Sequence, residues 1–334
     1  MAQLIECVPN FSEGRDAEVL QHIAVAIRSV ADVHLLHIDQ GEAANRTVFT
    51  FVGSPEGVVE AAFQAIRVAS SHIDMQIHQG THPRIGAADV CPLVPLANIT
   101  MEELIPYAKQ LAQRVAEELT IPVYLYEAAA QKAHRRNLAN IRKGEYEGLE
   151  QKMKRPEWQP DYGRNGFNAR SGATVIGVRP FLIAYNINLG TKDVVLASKM
   201  AADLRESGKK IWIGETQTRI SGRLKAVKAI GWFIEEYDCA QVSMNLVDFS
   251  VTGMHTTYET CKSLANQYGT NVTGSELIGL VPLQALLEAG RLYAPELSAE
   301  KDLVQTAVEK LGLSSLQAFI IEERIVEYCL ARQK

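Results

Sequence analysis

The chain has 334 residues, 47% of them hydrophobic and 22% charged, with 34 Lys and Arg against 39 Asp and Glu for a net charge of −5. That length exceeds one comfortable core and suits two domains, and the composition is that of an ordinary globule. The acidic excess argues against nucleic acid or an anionic membrane as the main partner, and no apolar run is long enough to span a bilayer.

The first half alternates strand and helix signals. Leu4 to Val8 is a short apolar strand, and from Asp16 the apolar residues Leu20, Ile23, Ala24, Ile27 and Val30 recur at helical spacing. Val33 to Ile38 and Thr47 to Val52 read as strands around a turn at Gln40-Gly41-Glu42. Ser54 and Pro55 start a second helix, Val90 to Leu96 is a strand, Thr100 caps a helix through Leu119, and Pro122 to Tyr126 is a strand. Residues 131–170 change character. They hold ten Lys and Arg against five Asp and Glu, broken by Pro156, Pro160, Gly163 and Gly166, and read as a connecting segment ending in a flexible loop.

The second half restarts the rhythm. Strands are read at Phe181 to Leu189, Leu224 to Phe233 and Ala240 to Val247, with Gly274 to Val281 short and apolar. Helices are read at Lys192 to Ser207, Met254 to Tyr268, Leu283 to Ala289 and Ala299 to Leu311. Each half is close to β-α-β-β-α-β. The fold class is therefore α/β (α+β): two ferredoxin-like subdomains, residues 1–178 and 179–334, with mixed or antiparallel sheets and helices on one face. Such halves leave a cleft where small molecules bind.

The densest chemistry lies in His78 to Pro92, where His78, His82, Arg84 and Asp89 surround a turn shaped by Gly80, Pro83 and Gly86. A Gly/Pro loop beside a strand is a way to present an acid or base. A metal site fits less well, because Gly80 and Pro83 break any helix joining His78 to His82 and no HExxH or CxxC is present. His82 is the candidate acid/base; the competing role is a loop hydrogen bond. Asp39 ends an apolar strand and is either a cleft-facing carboxylate or an Asx-turn cap, and Glu13 reads as a cap for the helix near Asp16. The loop Gly163 to Gly172 combines three glycines, two arginines able to grip carboxylates and the stacking face of Phe167; it is a binding loop or a solvated linker. Asn186 and Asn188 alternate with apolar residues, so both point to one face of a strand, for binding or for backbone satisfaction. Five scattered cysteines with no CxxC read as free thiols of a reducing cytoplasm, and Met1 to Glu6 has no signal-peptide pattern.

Several blocks resemble one family. Glu6-Cys7-Val8-Pro9-Asn10-Phe11-Ser12-Glu13-Gly14, His78 to Pro92, Ala184 to Thr191, Gln241 to Leu246 and Gly274 to Pro282 are similar, in order, to segments of the glutamate formimidoyltransferases. In animals that enzyme is fused to a cyclodeaminase; this chain ends at Lys334 and looks like the transferase alone. The resemblance implies transfer of a formimino group from N-formimino-L-glutamate to tetrahydrofolate in histidine degradation. It further implies a folate tunnel between the subdomains, a homodimer, a cytoplasmic location and no metal. The co-substrate is tetrahydrofolate, expected as its polyglutamate, and a separate cyclodeaminase is a candidate partner. By the same resemblance His82 and Asp39 are catalytic. Folate contacts fall on Gly163, Arg164, Asn165, Gly166, Phe167, Asn168, Ala169, Arg170, Ser171 and Gly172, a loop that departs here from the Ser-, Pro- and Trp-richer animal pattern.

The implied reaction needs a base for the proton on N5 of tetrahydrofolate and an acid for the departing glutamate nitrogen. One histidine can serve as both. Asp39 would orient His82 or hold the cationic amidine, and Arg135, Arg136, Arg142 and Lys143 would offer a path for the glutamyl tail. The alternatives are formyl transfer from N-formylglutamate and a non-catalytic folate-binding protein.

Overall fold

The computed structural model describes residues 3–163 and 166–332. They form two compact units that divide between Pro180 and Phe181. The first contains β1 (Leu4–Cys7), β2 (Asn10–Phe11), α1 (Ala17–Arg28), β3 (Val33–Gly41), β4 (Arg46–Gly53), α2 (Pro55–His72), β5 (Ala88–Ala97), α3 (Met101–Glu118), β6 (Val123–Glu127), α4 (Leu138–Arg142), α5 (Glu145–Met153) and β7 (Thr174–Val178).

Helix starts follow local chemistry. The Asp16 carboxylate accepts from the Glu18 and Val19 N–H groups at the head of α1, Ser54 caps α2 with Pro55 in its first turn, and Thr100 and Glu103 form a reciprocal capping box on α3. Strands β1 and β2 share one position between β4 and β5, so the sheet runs β3-β4-β1/β2-β5-β7-β6. The first four positions are antiparallel neighbours, whereas β5, β7 and β6 pair in parallel. The order β3-β4-β1-β5, with α1 and α2 as crossovers, is the ferredoxin-like arrangement read from the sequence. The unit then adds α3, β6 and β7 along one edge.

Alternation across this sheet separates two cores. Ile5, Phe49, Leu93, Leu125 and Ile176 pack under α1, α2 and α3. On the opposite face Val90, Tyr124, Tyr126 and Val175 meet Ile141, Leu149 and Met153 from α4 and α5. Residues 131–163 therefore form a packed cover for the second face, which corrects the reading of this stretch as a connector. Their cations misled the sequence analysis because several are used internally. Arg135 is fully buried and donates to Asp161 at 2.7 Å and to the Glu157 and Gln159 carbonyls at 2.8 and 2.6 Å. Lys152 donates to the Asn140, Ile141 and Lys143 carbonyls at 2.8, 2.6 and 2.9 Å, and burial pushes its pKa down to about 8. Strand β7 was not read from the sequence: it is a five-residue interior strand whose partners lie more than 40 residues away in the chain.

The second unit contains β8 (Ile183–Leu189), α6 (Val194–Leu204), β9 (Lys209–Ile213), β10 (Thr216–Ile220), β11 (Val227–Ile234), β12 (Cys239–Leu246), α7 (Met254–Gln267), β13 (Val272–Ile278), α8 (Leu283–Tyr293) and α9 (Glu300–Lys310). Its sheet, β11-β12-β8-β13, is wholly antiparallel and repeats the ferredoxin-like order. The β9-β10 hairpin stands apart as a two-stranded ladder. It escaped the sequence reading because β10 is exposed along its whole length, so no apolar face marks it. The expected division at residues 178/179 falls in the connection between β7 and β8.

One contact joins the histidine loop to the end of the 163–172 loop. Gly86 and Gly172 face each other, with Ala87 N–H donating to Ser171 O at 2.9 Å and Ala173 N–H to Ile85 O at 3.0 Å. A Cβ at Gly86 would lie 2.2 Å from the Ala173 carbonyl oxygen, and Gly172 has φ +67°. Only glycine permits that approach. Gly86→Ala is expected to destabilise the fold by about 1–3 kcal/mol, read as a lower midpoint in urea denaturation; an unchanged midpoint would refute the crossing.

Candidate functional site

The turn after α2 is anchored before it reaches His82. Asn45, at φ +45°, donates to Gln79 O at 2.8 Å and accepts from Gly14 N–H at 2.9 Å, while its own carbonyl meets His78 Nε2 at 2.9 Å. Arg84 Nε donates to His78 Nδ1 at 3.2 Å, so both ring nitrogens of His78 are engaged and the ring is neutral with its proton on Nε2. Burial together with the neighbouring Arg84 charge pushes its pKa down. Arg84 is itself held by Glu145 at 3.2 Å and by Glu147 at 2.8 and 2.6 Å on α5. His78 is thus structural. His72 lies on α2 with its ring 4.9 Å from that of His22. Among the described residues no group of three His, Cys, Asp or Glu is placed to hold a metal ion.

His82 is different. Its Nδ1 is buried and has no hydrogen-bond partner. Burial first, then the charges of Arg46 and Arg142, hold its pKa well below the usual imidazole value, with the Pro83 backbone acting in the opposite sense. Both arginines are fixed by other residues. Asn10 Oδ1 accepts from Arg46 Nε at 2.7 Å and from its Nη2, while Asn10 Nδ2 donates to Val8 O at 3.0 Å. Arg142, at the end of α4, pairs with the buried Asp89. Asp89 also accepts from Ile85 N–H at 2.8 Å, so its two oxygens serve the turn and Arg142, not the imidazole. Burial and the charge of Arg142 push Arg46 down to about 10, with Asp89 and Asp39 working in the opposite direction.

Asp39 lies within β3, opposite Val48, and not at a strand end: the ladder with β4 continues to Gly41 and Arg46. Its Oδ2 is 3.6 Å from His37 Nε2. Glu13 is a local cap, accepting from the Gly14, Arg15 and Asp16 N–H groups at 2.9, 2.8 and 2.9 Å. Of the proposed cationic path, Arg142 reaches this cluster and Arg135 does not, being locked on Asp161. Arg46 and its Asn10 support were not singled out from the sequence. The only signal was an arginine opening an otherwise apolar strand, Thr47 to Val52.

In the 163–172 loop, Arg164 and Asn165 lie outside the described residues. Gly163 has φ +74° and packs near Ile121 O, and Gly166 has φ +107° with open space around it. The Phe167 ring lies 5.6 Å from that of Tyr146 on α5, and Tyr146 Oη donates to Ala169 O at 2.5 Å. Asn168 Oδ1 accepts from Ser171 N–H at 2.9 Å, and Arg170 donates to Ser71 O at 2.9 Å at the end of α2. The loop is tied to both α5 and the histidine turn. In the second unit Asn186 and Asn188 share a polar sheet face with Gln241 and Glu276.

A neutral, half-buried imidazole near two arginines can exchange a proton while the guanidinium groups attract an anion. It is carried by the first of two ferredoxin-like α/β units. The chain belongs to the formiminotransferase domain family: the model of that domain's N-terminal subdomain matches residues 4–179, and the formiminotransferase domain model matches 184–331. It is 43% identical over 293 residues to the glutamate formimidoyltransferase of Streptococcus pyogenes serotype M1, covering 88% of this chain and 94% of that protein. Identity to the Thermoplasma acidophilum glutamate formimidoyltransferase is 42% over 292 residues, 87% of this chain and 92% of that protein. It is also 50% identical over 333 residues to the formimidoyltransferase-cyclodeaminase of Rattus norvegicus, where it covers 98% of this chain but spans only 60% of the relative's length.

Glu6 adds a second titrating group. It sits on β1 between Val52 and Val94, 1% exposed, and burial pushes its carboxyl up to about 7 against the opposing Arg179 charge. A carboxyl raised above its unfolded value of 4.5 retains its proton in the folded state, so stability falls as pH rises from 4.5 to about 7 and is level beyond. Glu6→Gln removes that dependence. Relative to the parent, its unfolding free energy is expected to rise by on the order of 3 kcal/mol between pH 4.5 and 8, measured by urea titration at each pH; parallel curves would show that Glu6 is ionised throughout.

Proposed function

We propose that this chain transfers the formimino group from N-formimino-L-glutamate to N5 of tetrahydrofolate, releasing L-glutamate. The observation that carries this reading is the orphaned Nδ1 of a His82 kept neutral by burial and two arginines, in a chain of the formiminotransferase domain family.

His82 is the proton carrier. A bond forms between N5 and the amidine carbon, and the neutral imidazole takes the proton that N5 gives up. The resulting imidazolium returns that proton to the glutamate nitrogen as its bond to carbon breaks. The depressed pKa matters twice: it keeps the ring a base at pH 7, and it makes the imidazolium a ready donor. Arg46 and Arg142 hold the carboxylates of the anionic substrate, and their charge also favours return of the proton. Asp39, whose charge reaches Arg46, balances that cationic side and attracts the amidinium. The 163–172 loop receives folate, with Phe167 as its stacking face. Tetrahydrofolate as a polyglutamate, a homodimeric assembly, a cytoplasmic location and association with a separate cyclodeaminase accompany this reading.

A coupled assay with tetrahydrofolate, offering formiminoglutamate and formylglutamate separately and following glutamate, tests it. Release from the formimino donor alone is expected; release from the formyl donor alone would change the reaction. His82→Ala is expected to lower kcat by about 10²–10⁴ with folate binding retained. Because the working form is neutral, the acid limb of kcat lies below the usual imidazole value near 6.5. Arg142→Gln removes one of the charges depressing it and moves that limb upward; a limb that stays in place would show that Arg142 does not tune His82.

A further inference from the structure

Helix α5 is tied at both ends to groups around His82. At its start Glu145 and Glu147 hold Arg84, which donates to His78 Nδ1 and His78 O in the histidine turn, both at 3.2 Å. Near its end Lys152 is buried and reaches back across the corner Lys143-Gly144 to α4. The ammonium donates to Asn140 O at 2.8 Å, Ile141 O at 2.6 Å and Lys143 O at 2.9 Å, and it lies 4.0 Å from the centre of the Trp158 ring. The last carbonyls of a helix have no partner within it, and a lysine can supply one.

Helix α4 needs that support. It has 5 residues, Leu138–Arg142, too few to be stable by themselves. Ile141 is its buried residue, and its cap, Asn137 Oδ1 accepting from Ala139 N–H at 3.1 Å, is exposed. Arg142 ends its last turn and pairs with Asp89, which accepts from Ile85 N–H in the turn that carries His82. The charges that act on His82 are those of Arg46 and Arg142. Lys152 carries its own charge at a cost. Burial first, then the like charges of Arg155, Lys143 and Arg135, bring its pKa from 10.5 to about 8. A folded value below the unfolded one means that stability rises as pH goes from about 8 to 10.5. At neutral pH the fold therefore tolerates this ammonium against its net stability, and what the ammonium holds is the end of α4.

We propose that Lys152 is a positioning residue for His82: by gripping the last turn of α4 through three carbonyls, it keeps the Arg142 guanidinium on Asp89 and within reach of the imidazole. Lys152 acts through Arg142 and not by its own charge. Its bearing on turnover rests on the reading of His82 as the proton carrier, whereas its bearing on the charge of the imidazole does not.

The test is an NMR titration of the His82 ring in the full chain, with its resonance assigned by loss in His82→Ala. It compares the parent, Arg142→Gln, Lys152→Met and the double variant. Lys152→Met is expected to move the His82 pKa upward, the direction expected for Arg142→Gln, by at least about half as much. In the double variant the shift is expected to match that of Arg142→Gln alone, because both changes act through one guanidinium. A residue that only stabilises the fold would lower the urea midpoint and leave the His82 titration in place. That result, or shifts that add in the double variant, would overturn the positioning role. Lys152→Gln keeps N–H donors for the carbonyls without the charge; it is the milder second variant and is expected to shift His82 in the same direction by less. Failure of both variants to fold would make Lys152 a determinant of the fold and would overturn the role as well. Formimino transfer by a protein whose His82 is indifferent to Lys152 would sink this inference alone. A His82 shift that runs through Arg142, in a parent that transfers no formimino group, would keep it and sink the proposed reaction.

Discussion

The Asp89 carboxylate is shared between two partners that the chain brings from opposite directions. One oxygen takes the Ile85 N–H and closes the turn that carries His82; the other takes Arg142 from a helix 53 residues further on. The first bond sets where the imidazole stands at the head of β5. The second pins the segment that carries α4 and α5 to the face of the sheet opposite α1, α2 and α3, where Ile141, Leu149 and Met153 then find an apolar floor. Without the pair, a buried guanidinium and a buried carboxylate would each be left uncompensated, which is far costlier than the pair is stabilising.

That pair also creates the electrostatic problem at the centre of the cluster. Arg142 is placed near Arg46, and the mutual repulsion of two poorly solvated guanidinium groups contributes to the fall in the Arg46 pKa. His82 beside them is denied its proton first by burial and then by those two charges. An anionic ligand relieves all three strains at once, since it neutralises both cations and makes an imidazolium tolerable. Under the proposed reaction, proton affinity at His82 is coupled to substrate occupancy, a property that neither arginine nor histidine has alone.

Much of the fold was legible because its signals are local. The caps at Asp16, Ser54 and Thr100, the helical spacing of α1 and α2 and the alternation of β8 all sit within a few residues of the elements they define. Both ferredoxin-like units followed from that rhythm. The failures are equally instructive. Residues 131–170 looked like a solvated connector because Lys and Arg ordinarily are solvated, yet Arg135 and Lys152 donate to backbone carbonyls inside the protein. The β9-β10 hairpin carries no apolar face to detect, and β7 is a short strand that gains its identity only from β5 and β6 on either side.

The site divides in the same way. The amino-acid sequence by itself placed His82 in a turn, since Gly80, Pro83 and Gly86 bend the chain around it, and it placed Asn186 and Asn188 on a common strand face by their spacing of two. Which groups meet those residues was decided only by tertiary structure. Asn10 reaches Arg46 across 36 residues, Asp89 reaches Arg142 across 53, and Glu276 reaches Asn186 across 90. Capping and periodicity act over one or two turns of chain, whereas these contacts exist only after the strands have paired in a particular order and register. The charge on an arginine and the neutrality of a histidine belong to that later stage, because each is a property of the surroundings and not of the residue.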